Sequence, residues 1–103
     1  TLVGRTADRL IGMAPGCTWI SARGCDGDGC RQSDLTAAAQ FVFCPRGRCD
    51  LGARVVSCSW GASGPGSMDW FAPILQVWRA GGLVSVFAGG NEGPACGTIS
   101  EPA

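Results

Sequence analysis

Three short apolar runs, each ended by small residues and each parted from the next by a helix-compatible stretch, constrain this chain more than any other feature. Residues 17–23 (CTWISAR) follow the turn Ala14-Pro15-Gly16 and read as a strand, with the glycine-rich segment 24–30 after it. Ser33 is a good helix N-cap with Asp34 behind it, and the apolar-rich segment 35–44 runs to a stop at Pro45. Residues 54–60 (RVVSCSW), ended by Gly61, have the continuous apolar character of an interior strand buried on both faces. A second helix is predicted from Asp69 as cap, with Pro73 in its first turn, an apolar face of Ile74, Leu75, Val77 and Trp78, and an end at Gly81-Gly82. Residues 83–88 (LVSVFA) make the third strand. Strand, helix, strand, helix, strand predicts an α/β fold, a parallel sheet with helices on both faces. Ligands of such sheets lie beyond the carboxyl ends of the strands, here residues 24–30, 59–62 and 89–94.

Composition narrows what could bind there. A chain of 103 residues fits one small domain or part of a larger one and excludes a multidomain reading. Eight basic and eight acidic residues leave a formal net charge of zero, without the basic stripe that nucleic acid or an anionic membrane requires. With 17 glycines and 6 prolines but 46% hydrophobic residues, the chain is loop-rich yet globular. Lysine is absent and neither phosphate-loop glycine pattern occurs, so small residues at the strand ends suit an extended peptide better than a phosphate. A single glycine there only turns the chain; three adjacent ends rich in small residues let another backbone lie close. There is no histidine, so no Ser-His-Asp triad can be assembled from this chain alone, and the commonest metal ligand is missing.

Seven cysteines point to an oxidising compartment. Cys25 and Cys30 bracket a Gly/Asp turn, Cys44 and Cys49 a Pro/Arg/Gly turn, and local disulfides Cys25–Cys30 and Cys44–Cys49 are expected. Four thiolates binding zinc are the alternative, disfavoured because zinc ribbons and knuckles use tighter spacing. Cys17, Cys58 and Cys96 are left over, an odd number, so at least one is a buried free thiol or bonds outside the chain. Thr1 is no initiator, no leader-like segment follows it, and no apolar stretch approaches a membrane span. Secretion therefore rests on the cysteines.

Several segments carry a family resemblance. Ala88-Gly89-Gly90-Asn91-Glu92-Gly93, after an apolar run, resembles the oxyanion-hole segment of subtilisin-like serine proteases (subtilases), and Ile11-Gly12-Met13-Ala14-Pro15-Gly16 resembles the turn after their catalytic-histidine helix. Between them, Val55-Val56-Ser57-Cys58-Ser59-Trp60-Gly61 is similar to the strand ending in one wall of the substrate pocket, and Thr98-Ile99-Ser100-Glu101-Pro102-Ala103 to the segment closing its base. The tryptophan spacing at Asp69-Trp70 and Val77-Trp78 is nearest the bacillopeptidase F-like branch. Thr1-Leu2-Val3-Gly4 resembles the tail of the histidine motif, and Ala103 falls before the serine motif. The resemblance thus implies that residues 1–103 are an internal part of a subtilase peptidase domain, an incomplete subtilisin-like sheet lacking all three triad residues and inactive by itself.

It also implies roles. Asn91 is the oxyanion donor; Ser59, Trp60, Gly61 and Ala62, with Asp28, Gly29 and Cys30, offer edge backbone to an extended polypeptide substrate; Ala88, Gly89, Gly90 and Ser100 line a pocket that accepts large apolar side chains. Glu92 at the rim would favour a basic residue, although a lone exposed carboxylate is more often simply solvated. Trp60 is expected against substrate, and Trp19, Trp70 and Trp78 in the core. No cofactor or metal is expected in this span, many subtilases use calcium elsewhere, and a monomer is expected. Ser57-Cys58 stands where close relatives often have asparagines, and Trp60 is bulky beside the groove, so subsite preferences do not transfer. Two other readings compete. One is a secreted peptide-binding module without chemistry, a pseudoprotease or disulfide-stabilised domain, for which Asn91 has no evident use. The other is a phosphate- or nucleotide-binding domain using residues 89–93 as an anion nest, which lacks cations near that loop.

A parallel sheet cut at both edges leaves unpaired strand edges and uncovered apolar faces. The 103-residue chain in isolation is therefore expected to be poorly soluble and to show no cooperative transition in a thermal melt.

Overall fold

In the computed structural model, residues 2–103 are described; Thr1, part of the segment compared with the tail of the histidine motif, lies outside them. The chain forms a helix α1 (Gln32–Phe43), a strand β1 (Val55–Cys58), a helix α2 (Ala72–Ala80) and a strand β2 (Val84–Phe87). The two strands pair in parallel, with Val55 opposite Val84 and Cys58 opposite Phe87.

Helix α1 buries Leu35, Ala39 and Val42, positions four and three apart that fall on one face. It begins two residues earlier than the Ser33 cap predicts: Arg31 occupies the N-cap without a side-chain capping bond, and the Ser33 hydroxyl reaches the Asp34 carboxylate at 3.5 Å instead. Pro45 ends the helix as expected, and two 3-10 turns, Pro45–Gly47 and Cys49–Leu51, carry the chain to β1. Asp69 lies in a 3-10 turn, Asp69–Phe71, that leads into α2, and it makes no side-chain cap. On α2, Trp78 is buried and Ile74 and Leu75 half-buried, whereas Val77 faces out, because positions 74, 75 and 78 already fill the inward stripe. Gly82, at φ 78°, turns the chain into β2.

Phe71 is the only large side chain with no accessible surface among the described residues. Its ring meets Trp60, Trp70, Trp78 and Phe87 edge-on, at centroid distances of 5.1 to 6.3 Å. The Trp78 indole N–H donates to the Ala39 carbonyl at 3.2 Å, joining α2 to α1 across the same core and satisfying a buried donor. Trp19, expected in the core, is 70% exposed.

Two further expectations are corrected. Residues 17–23 form no strand, since among the described residues no backbone hydrogen bond joins them to β1, and Trp19 and Ile20 face solvent. Nor do helices cover both faces of the sheet. Val56, Cys58 and Phe87 pack into the core shared by α1 and α2, while Val55, Val84 and Val86, on the opposite side of the pleat, are each more than half exposed.

Both local disulfides are present, Cys25–Cys30 with S–S 1.96 Å and Cys44–Cys49 with S–S 1.99 Å. Their sulfurs are thereby withdrawn from the zinc alternative. No helix among the described residues is long and apolar enough to cross a membrane. Replacing Phe71 by Ala in the parent domain should lower its unfolding free energy by about 3–5 kcal/mol, read from urea denaturation, because every ring of the cluster loses its common neighbour.

Candidate functional site

Parallel pairing brings the carboxyl ends of β1 and β2 to the same edge of the sheet. The Ala88 N–H donates to the Cys58 carbonyl at 3.0 Å, extending the ladder one step past the strands, after which the chains diverge into residues 59–62 and 89–92. Residues 100–101 then bridge them. Ser100 N–H donates to the Gly89 carbonyl at 3.0 Å, and Glu101 and Ala62 exchange two backbone hydrogen bonds, each 3.0 Å, as an antiparallel pair. The structure thus gathers Ser59, Trp60, Gly61, Ala62, Ala88, Gly89, Gly90, Asn91 and Ser100 around one sheet edge.

Close backbone approach explains two glycines here. A Cβ on Gly61 would lie 2.8 Å from the Glu101 carbonyl oxygen. A Cβ on Gly90, whose φ is 93°, would strike the Ser100 hydroxyl and the Glu92 carboxylate. Ser100 is 6% exposed and is the buried polar residue of the site, its hydroxyl donating to Glu92 at 3.1 Å. The same Glu92 oxygen accepts the Asn91 backbone N–H at 2.8 Å. These bonds, the Asn91 N–H first and the Ser100 hydroxyl second, hold the Glu92 carboxyl below the usual glutamate range. Glu92 thus turns inward as a tie between Asn91 and Ser100 while its surface stays wet.

The Asn91 side-chain amide has no hydrogen-bond partner among the described residues and is exposed, so its donors are free for a ligand. Ala88, Gly89 and Gly90 form an open shelf beside it. The Trp60 ring is half-buried, edge-on to Phe71 at 5.1 Å and Phe87 at 5.3 Å, and its first structural contribution is to anchor residues 59–62 to the core. Cys58, beneath the same edge, is buried, and desolvation pushes its thiol up to about 11, so it is not a nucleophile at neutral pH.

Asp28, Gly29 and Cys30 are not brought into this constellation by any hydrogen bond among the described residues. They belong to a turn closed by the Asp26–Gly29 bridge and the Cys25–Cys30 disulfide, with Arg31 paired to Asp26 at 3.4 Å and Asp28 at 3.7 Å. The residue that sequence reasoning passed over is Glu101. Its carboxylate accepts from the Gly66 N–H at 2.9 Å, the Met68 N–H at 2.9 Å and the Ser67 hydroxyl at 3.1 Å. Nothing in the sequence pairs a glutamate with amides more than 30 positions away.

Comparison with known proteins decides the family. The model of the subtilase family matches residues 2–103. The chain belongs to the subtilases. It is 32% identical to Bacillopeptidase F of Bacillus subtilis (strain 168) over 116 aligned positions, an alignment that takes in 100% of this chain and 8% of that protein, and this places it on the bacillopeptidase F-like branch. No solved structure gives a significant match. The two-stranded parallel sheet with its two helices is the α/β arrangement of a subtilase in part.

Within this subtilase segment, Gly90→Ala should destabilise the parent domain by about 1–3 kcal/mol, because it adds a left-handed alanine to a clash with Ser100 and Glu92. A lower urea midpoint at unchanged slope is the expected reading.

Proposed function

We propose that this chain is the middle of the catalytic domain of a secreted serine endopeptidase, supplying the oxyanion donor and the walls of the substrate groove while the triad lies on other parts of the parent. The observation that carries the proposal is the Asn91 amide, unpaired at the carboxyl end of β2 and fixed through its backbone to Glu92, beside a shelf of Ala88, Gly89 and Gly90.

Acyl transfer passes through a tetrahedral oxyanion, and a preorganised amide donor lowers that barrier by about 2.7–4 kcal/mol, a figure that comes from subtilisin, a member of this family, and not from this structure. In this reading a nucleophilic serine of the parent attacks the scissile carbonyl and the Asn91 side-chain N–H holds the negative charge that builds on its oxygen; the charge collapses back as the C–N bond breaks and the protonated amine leaves, giving the acyl-enzyme, and the same donor serves the second tetrahedral intermediate when water attacks and the acid is released. Backbone at residues 59–62 pairs with an extended polypeptide, and Ala88, Gly89, Gly90 and Ser100 receive an apolar side chain. Asp28, Gly29 and Cys30 would supply the second edge. Two disulfides support a secreted protein. The span needs no cofactor of its own for these steps, and the chain alone is expected to be inactive.

Asn91→Leu in the full-length parent tests the assignment. Turnover of a peptide substrate should fall about 100- to 1000-fold with KM little changed. Unchanged turnover would remove Asn91 from the oxyanion hole, and a parent that binds peptides without cleaving them would make the non-catalytic binding module the correct reading.

A further inference from the structure

We propose that Glu101 is a positioning residue for the substrate groove, holding residues 59–68 as one wall and thereby controlling substrate affinity and not turnover. The proposal rests on the protease reading above and adds a residue to it.

Residue 101 grips both ends of one loop. Its backbone exchanges two hydrogen bonds with Ala62, where the loop begins, and its carboxylate accepts from Gly66, Ser67 and Met68, where it ends. Between these points the chain passes through Gly64 at φ 101° and Gly66 at φ 75°, and its internal bonds are all long: Ser67 N–H to Gly64 at 3.2 Å, Asp69 N–H to Gly66 at 3.4 Å, and the Ser67 hydroxyl to the Ala62 carbonyl at 3.4 Å. A loop with such weak local bonding takes its shape from a longer-range tie, and charge-assisted bonds to a carboxylate are stronger than neutral ones. Met68, the last donor of the clamp, is 7% exposed in the core beside Phe71, and Phe71 carries the Trp60 ring. The wall at residues 59–62 is therefore held from the Ala62 side by the backbone of residue 101 and from below by Met68, Phe71 and Trp60.

Asn91 is secured separately. Its backbone is tied to Glu92 and not to Glu101, so loosening the loop leaves the oxyanion donor in place. That separation predicts an effect on KM with kcat preserved. Bonds from the Met68 N–H and the Gly66 N–H hold the Glu101 carboxyl below the usual glutamate range. For a carboxylate with a lowered value, the tie is fully made above the ordinary glutamate range and is lost as pH falls through the lowered value.

The experiment uses the full-length parent. Glu101→Gln keeps the side-chain length but turns an NH2 toward donors. It should raise KM for a peptide substrate about tenfold, leave kcat within about twofold, and speed amide exchange at Gly66 and Met68. The unsubstituted enzyme should show a rise in KM only at pH below the ordinary glutamate range, where Glu92 also loses its charge, and Glu101→Gln should show a smaller rise, the remainder belonging to Glu92. Ser67→Ala, which removes one of the three donors to Glu101 together with the longer contact to the Ala62 carbonyl and leaves the core intact, should raise KM about two- to threefold. A KM unmoved in Glu101→Gln, or a fall in kcat alone, overturns the proposal while the protease reading stands; if Glu101→Gln fails to fold, an unmoved KM in Ser67→Ala overturns it. A parent that hydrolyses no peptide overturns the protease reading itself.

Discussion

Parallel pairing of β1 with β2 is the constraint on which the rest of the structure depends. Two strands running the same way must finish at the same edge, so the small residues that follow each of them meet in space although about 30 positions separate them in the chain. Only a crossover of helical length can return the chain to start the second strand, and α2 supplies it. The same helix closes the core by laying Trp78 on Phe71 and bonding it to Ala39, which leaves the strand ends on a rigid base.

A third segment then converts two loose ends into a site. Ser100 and Glu101 lie across the opening as a short strap, one residue bonded to the β2 side and the next to the β1 side. Such a strap needs bare backbone beneath it, and Gly61 and Gly90 are the positions where a side chain would stand in its way. Glu92 and Glu101 complete the arrangement, each collecting N–H and O–H donors from the loops it faces, so that dipoles and solvent offset their negative charge. Fold and site are in this sense a single hydrogen-bonded object, with backbone making the frame and two glutamates setting its corners.

Much of this was legible in the sequence, for physical reasons that differ by element. Helix α1 announced itself through apolar spacing and Pro45, and β1 and β2 through short apolar runs cut off by glycine, because these signals are local. The disulfides were equally local, each cysteine lying five positions from its partner. What escaped was decided by tertiary contacts. Residues 17–23 have strand-like composition but no ladder to join, and the valines of the sheet read as doubly buried although one side of the pleat is uncovered. Trp19 and Trp78 look alike in sequence; only the second finds a carbonyl for its indole and a ring for its face. Glu101 was legible least of all, since its three partners come from a glycine-rich loop that carries no pattern pointing to a distant carboxylate.

The buried Cys58 gives the fold a chemical clock. Cys17 and Cys96 are exposed free thiols, whereas Cys58 is enclosed beneath the strand ends with its ionisation pushed up to about 11. At pH 8 only about one native molecule in a thousand would carry that sulfur as the reactive thiolate. An alkylating reagent therefore finds two thiols in a folded molecule and a third only when the sheet opens. Where alkylation outpaces reclosing, the rate at which the third label appears is the rate at which β1 leaves the core.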